Sequence, residues 1–270
     1  MDRIDLPPPP RAARARRCGP EAVAQAVPDG ARLAVGGSGL ARKPMRLVAS
    51  LAEAGRRDLD LWTGVGGLEV DLLLAAGAVA RVHAAFVGLE ALGLAPVFRR
   101  LREAGRVAFD EWSEWTLIAA LRAGAEGAPF APVRAALGSD VASLHPEWRP
   151  FPSPLDGEPL LAVPPVTVDA LLLHADVATE DGRAYILGDP HTDRLWALAA
   201  ERVFVSAERV FGDGWEPPGG QLAPVAPPER VEGVVEVPGG ARPGGIAPWY
   251  RPEPEAVRAL GQRLLAEVGA

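Results

Sequence analysis

The sequence is short of the residues that make covalent cross-links and metal clusters. Among 270 residues there is one cysteine, Cys18. A lone thiol excludes an internal disulfide framework and a multi-cysteine metal site. Asparagine is absent, and Lys43 is the single lysine among 28 Lys and Arg residues. Scarce amide side chains with proline-laden loops suit a heat-tolerant protein. No apolar run reaches the length of a membrane span, and no signal peptide is evident. These absences lead us to expect a cytoplasmic protein without membrane contact. A net charge of −7 argues against nucleic acid and anionic membranes as partners. What remains is 48% hydrophobic and 23% charged, the balance of a soluble globular chain long enough to bury a real core.

Residues 1–18, with the run "PPPP", read as an extended N-terminal arm, because a proline run fits neither a helix interior nor a central strand. Order is expected from Gly19 onward. From there apolar runs alternate with amphipathic segments. "DGARLAVGG", "DLDLWTGV", "VARVHAAFV" and "RVAFDEW" read as strands. "PMRLVASLAEAG", "LEVDLLLAAG", "LAPVFRRLREAG" and "SEWTLIAALRAGAEG" read as helices; the first three stop at Gly55, Gly77 and Gly105, and Ser113 is placed to cap the fourth. Residues 138–160 cluster Gly, Pro and Ser and read as a long loop. "DALLLHA" is a continuous apolar run, as in a strand buried on both faces. "HTDRLWALAAE" reads as a helix, "RVFVSAERV" and "VEGVVEVPGGA" as strands, and "PEAVRALGQRLLAEV" as a closing helix. The expected fold is one α/β domain over 19–270, an open, mainly parallel sheet flanked by helices.

Three glycines fall within Gly36–Gly39, between a strand and a helix, and Arg42 and Lys43 follow. In a parallel sheet this is the carboxyl-end crevice where ligands bind. Bare backbone there can bring N–H groups to an anion or a developing oxyanion. In a chain that uses Arg elsewhere, Lys43 marks a place where a compact ammonium matters. Arg42 and Lys43 would put positive charge at the mouth of the loop. The spacing is neither a dinucleotide fingerprint nor a Walker loop, and no G-x-S-x-G elbow is present. "DEWSEW" gathers Asp110, Glu111 and Glu114 between tryptophans. A carboxylate among aromatics can serve as acid, base or nucleophile, or Glu114 can simply favour a helix's first turn. His174 reads as a core-edge histidine or a site group. "GDPHTD" holds His191 and Asp193 without a further His or Cys at ligand spacing, so no metal is expected.

Taken together, "GGSGLARKPM", "GAVARVHAAFVGLE", "EWSEW", "APFAPVRAALGSD", "GEPLLAVPPVTVDALLLHADVATEDGRAYILG" and "VEGVVEVPGGARP" resemble the alpha (A) subunit of family I CoA-transferases of the glutaconate type. The resemblance implies a fold like ribose-5-phosphate isomerase, a homologous beta subunit in an α₂β₂ assembly, and no bound cofactor. Coenzyme A thioesters and small carboxylic acids would be the substrates. In that type the nucleophilic glutamate lies in the beta subunit. Gly36, Gly37, Ser38, Gly39, Arg42 and Lys43 would then shape the acyl pocket and hold a substrate carboxylate. Lys43→Ala would weaken catalysis for acidic acyl groups without unfolding the chain. The sequence is also similar to the alpha-type subunit of CoA-dependent ring-cleaving hydrolases of bacterial steroid breakdown. In that group the catalytic glutamate lies in the alpha-type subunit, at a position matched by Glu114, as a general base. A sugar-phosphate sensor of related fold would need a helix-turn-helix, which the short N-terminal arm does not supply.

Overall fold

The computed structural model describes residues 16–219 and 222–269. Most of the expected N-terminal arm, residues 1–15, lies outside them. The first half of the chain runs β1 (Arg16–Arg17), α1 (Pro20–Ala26), β2 (Arg32–Val35), α2 (Met45–Glu53), β3 (Leu59–Gly66), α3 (Leu68–Ala75), β4 (Val79–Val87), α4 (Pro96–Glu103), β5 (Ala108–Glu111) and α5 (Glu114–Glu126). There follow β6 (Ala131–Val133), α6 (Val141–Leu144), β7 (Arg149–Pro152), β8 (Pro159–Val163), β9 (Val168–Thr179), β10 (Ala184–Tyr185), α7 (Asp193–Ala199), β11 (Ala200–Phe211), β12 (Val231–Glu236) and α8 (Pro254–Val268).

Nine strands form one sheet in the order β1-β12-β11-β9-β2-β3-β4-β5, with β10 antiparallel on β9. Every other pairing in that sheet is parallel. The apolar run of β9 explains its central place. Leu171 and Leu173 enter one core and Ala170 and Leu172 the other, because successive strand residues face opposite sides. On the first side Leu117 and Leu121 of α5 and Trp196 of α7 complete the core. On the second, Val23, Leu47, Leu73, Val97 and Val257 bring in α1, α2, α3, α4 and α8. Each fully buried leucine contributes roughly 1.5–3 kcal/mol.

Two expectations need correction. Arg16 and Arg17 do not belong to a free arm: as β1 they pair with Gly233 and Val234 at the sheet edge. Residues 138–160 are not one loop either. They hold α6 and β7, and β7 joins β8 and β6 in a small antiparallel sheet. Pro150 and Pro152 hid that strand, but β7 is an edge strand, where a missing N–H can face away from the ladder.

Candidate active site

The glycine loop leaves β2 at Val35 and returns through Pro44 into α2. It is closed on itself and on its neighbours. Ser38 N–H donates to Ala41 O at 3.0 Å, and Ala41 N–H donates back to Ser38 O at 2.8 Å. Gly37 has φ +74°, and a Cβ there would lie 2.5 Å from Ala41 O, so only glycine fits. Every backbone N–H from Gly36 to Arg42 already has an acceptor: Leu172 O, Asp193 Oδ1, Ala41 O, Val65 O, Glu90 Oε1, Ser38 O and Gly245 O in turn. The expectation of free backbone donors in this loop is therefore not met. What the loop offers instead is the Ser38 hydroxyl.

Arg42 and Lys43 do not stand at the mouth. Both are buried, 5% and 2% exposed. Arg42 reaches Asp193 Oδ2 at 3.1 Å, and the other oxygen of Asp193 holds the Gly37 N–H at 2.8 Å. The Lys43 ammonium lies 2.7 Å from Glu69 Oε1 and donates to Thr63 Oγ1 at 3.1 Å and to Gly37 O at 3.2 Å. Three donors meet three oxygens, the full capacity of an ammonium. A planar guanidinium would not fit so closed a cluster, which accounts for lysine here. Asp193 and Glu69 are thus the acids that fix the loop. Neither pairing was legible, because both acids lie far along the chain from the loop, on other helices.

A narrow pocket opens at the carboxyl ends of β2 and β3, with an interior of about 350 Å³ including its mouth. Gly37, Ser38, Gly64 and Val65 line one part of it, and Leu117, Ile118 and Leu121 of α5 give an apolar part. Glu114, His191 and Thr192 complete the lining. Glu114 is the first residue of α5, behind the Ser113 cap, whose Oγ accepts the Thr116 N–H at 3.1 Å. Among the described residues its carboxylate has no hydrogen-bond or ion-pair partner. The aromatic walls expected around it are absent: Trp112 turns into the core and Trp115 is 71% exposed. Thr192 caps α7 without a side-chain hydrogen bond, so its hydroxyl is free as well. Gly36, Gly37, Ser38 and Gly39 thus support or line the pocket beside Glu114, whereas Arg42 and Lys43 sit beneath. Sequence reasoning missed Thr192 and weighed His191 only as a metal ligand. The turn residues "GDP" before α7 were the available signal.

The other histidines stand apart from this pocket. His174 is fully buried, its Nδ1 2.9 Å from Ser206 Oγ and its Nε2 2.8 Å from Glu208 Oε1, so the core reading holds for it. Burial pushes the Glu208 carboxyl up, but His174, Tyr250 and the Gly239 N–H outweigh this and hold it below its ordinary value. His83 stacks on Trp62 at 3.8 Å, with Nε2 2.6 Å from Asp60 and Nδ1 2.7 Å from Asp110. Burial works against the charged imidazole, yet its bonds to Asp110 and Asp60 raise its pKa overall. Both aspartates are pushed up by burial and pulled down further by His83, so each titrates lower than usual. His145 Nε2 lies 2.7 Å from Glu111 O, which pins α6 to the end of β5.

The sequence pattern of a coenzyme A transferase spans residues 20–231. The chain is 34% identical over 264 residues to the cholesterol ring-cleaving hydrolase IpdA subunit of Mycobacterium tuberculosis, over 92% of this chain and 88% of that protein. It is 31% identical to the first of the two subunit types of 3-oxoadipate CoA-transferase from Pseudomonas knackmussii, over 85% and 81% of the two chains. Among solved structures, the decarboxylase AibA/AibB matches with a TM-score of 0.83 at 36% identity over 95% of each chain. Glutaconate coenzyme A-transferase from Acidaminococcus fermentans matches with a TM-score of 0.87 over 94% of this chain and 85% of that one. At 24% identity that likeness is one of fold.

Proposed function

Because the chain belongs to the coenzyme A transferase family, as an alpha-type subunit, we propose that it works with a beta subunit on coenzyme A thioesters, cleaving a carbon–carbon bond by hydrolysis with Glu114 as the base. The observation that carries this reading is the Glu114 carboxylate: it lines the pocket without a partner in this chain, beside Ser38. Glu114 would take a proton from water as the water oxygen adds to a ring carbonyl carbon. The resulting alkoxide collapses, the carbon–carbon bond breaks, and a carboxylate forms on the carbonyl side. The Ser38 and Thr192 hydroxyls are the donors at hand for the alkoxide, in place of backbone N–H groups. The similarity to a ring-cleaving hydrolase subunit supports the same choice.

The partner is part of this proposal. Phe86 and Leu94 lie at the carboxyl end of β4 and Trp115 at the start of α5, 48%, 50% and 71% exposed. Large apolar side chains left open at the ligand end of a sheet suit a covering subunit, in an α₂β₂ assembly. The coenzyme A thioester is substrate here, with no bound cofactor. No helix of the described residues is long and apolar enough to cross a membrane.

The similarity to a 3-oxoadipate CoA-transferase favours a second reading. In it a beta-subunit glutamate carries CoA as a thioester to a second acid, and Glu114 only lines the pocket. Product analysis separates the two. The chain is co-expressed with the product of the neighbouring reading frame, and cyclic and linear acyl-CoAs are offered with and without an acceptor acid. Gain of water by a cyclic thioester with no acceptor present is the expected result. A new acyl-CoA that forms only with the acceptor would establish transfer instead.

A further inference from the structure

Glu114 and His191 are the two titratable side chains that line the pocket. His191 sits in the turn before α7 with φ +47°, a left-handed backbone that histidine tolerates better than most residues. Its N–H donates to Asp189 Oδ1 at 2.8 Å, and its Nδ1 lies 3.7 Å from Asp189 Oδ2. Among the described residues Nε2 has no hydrogen-bond partner. Two positions on, buried Asp193 ties the same turn to the Gly37 N–H and to Arg42. One ring nitrogen thus faces Asp189, the other is free, and the turn that carries the ring is fastened to the glycine loop.

We propose that His191 is a second catalytic residue, the acid that protonates the carbon released when the carbon–carbon bond breaks. The proposal rests on the hydrolytic reading of this pocket. Water gives its proton to Glu114 and its oxygen to the carbonyl carbon. The electron pair of the breaking bond goes to the neighbouring carbon, which takes the proton of the His191 imidazolium. Glu114 then releases a proton to solvent and His191 recovers one, so the sum is the addition of one water. Both groups reach solvent for that exchange, Glu114 being exposed and the His191 side chain 41% exposed. Imidazole suits the task because it exchanges protons near neutral pH. A separate donor also spares Glu114 from moving its proton from the attacked carbon to the neighbouring one.

The test is the pH–rate profile of the two-subunit complex. His191→Asn keeps a side chain that accepts the left-handed backbone, and His191→Ala opens space for added imidazole. A base that must be ionised gives the acid limb, and an acid that must be protonated gives the alkaline limb. His191→Asn is expected to slow turnover by roughly 10²–10⁴-fold and to lose the alkaline limb while keeping the acid one. Imidazole should restore part of the His191→Ala rate. If the wild-type complex hydrolyses and His191→Asn keeps its rate and both limbs, the role of His191 is overturned while that of Glu114 stands. If the wild-type complex only transfers CoA, both fall. Should His191→Ala fail to fold, the asparagine variant decides alone.

Discussion

Three oxygens close on the Lys43 ammonium, from Gly37, Thr63 and Glu69, and the Glu69 carboxylate is itself fully buried. Removing the cation leaves that carboxylate without its counter-charge in the core. We expect Lys43→Met to destabilise the chain by about 3–5 kcal/mol, the cost of breaking a buried ion pair. Adding Glu69→Gln to it should recover part of the loss, because the stranded charge is then gone. Urea denaturation of the single and double variants reads both values. A Lys43→Met chain of unchanged stability and altered substrate preference would return Lys43 to the binding role read from the sequence. The singularity of Lys43 was legible and its partners were not, since neither the strand of Thr63 nor the helix of Glu69 announces a buried cation. Their meeting is a product of packing β3 and α3 against the loop.

Helix α5 shows what an element contributes to the site. Ser113 ends the approach from β5, caps the first turn, and so sets Glu114 at the pocket. The far end is docked by the Val166 N–H on Ala120 O at 3.0 Å, and Gly124 passes so close that a Cβ would lie 2.0 Å from Val166 O. Alanine is the better helix former by about 1 kcal/mol, so an isolated helix would gain from Gly124→Ala. Here the clash decides the sign. Overpacking costs typically about 1–3 kcal/mol, so the variant should melt at a lower temperature than the wild type; a higher melting temperature would show that α5 has room to move. The cap was legible because Ser followed by an amphipathic run is a local signal. The docking at Val166 was not, because it joins segments distant in sequence. The same distinction explains β7. Phe151 pairs with Leu160 across a turn, and prolines at Pro150 and Pro152 mask the local strand signal.

On the scale of the whole molecule, alternation of apolar runs and glycine stops made the parallel sheet legible from end to end. The charge network that braces it was not. Asp60, His83 and Asp110 join β3, β4 and β5 across the sheet. The aspartates titrate lower in the fold than in the unfolded chain, so their contribution is lost as pH falls through the folded values. His83 titrates higher in the fold, so its contribution is complete below its unfolded value and lost as pH rises through the folded one. Between about pH 4 and 6.5, the unfolded values of the two residue types, the whole network contributes. His83→Gln should therefore lower the melting temperature most in that window and less on either side of it. A difference independent of pH would mean that His83 acts by packing on Trp62 alone. At this scale the division of labour is a braced sheet and a fastened loop that present one free carboxylate to the ligand. The most direct measurement is turnover of the two-subunit complex carrying Glu114→Gln, beside its melting temperature. The expected result is an assembled complex of wild-type stability whose water-adding activity is lost. An assembled variant that still turns over at the wild-type rate would contradict the assignment of the chemistry to Glu114.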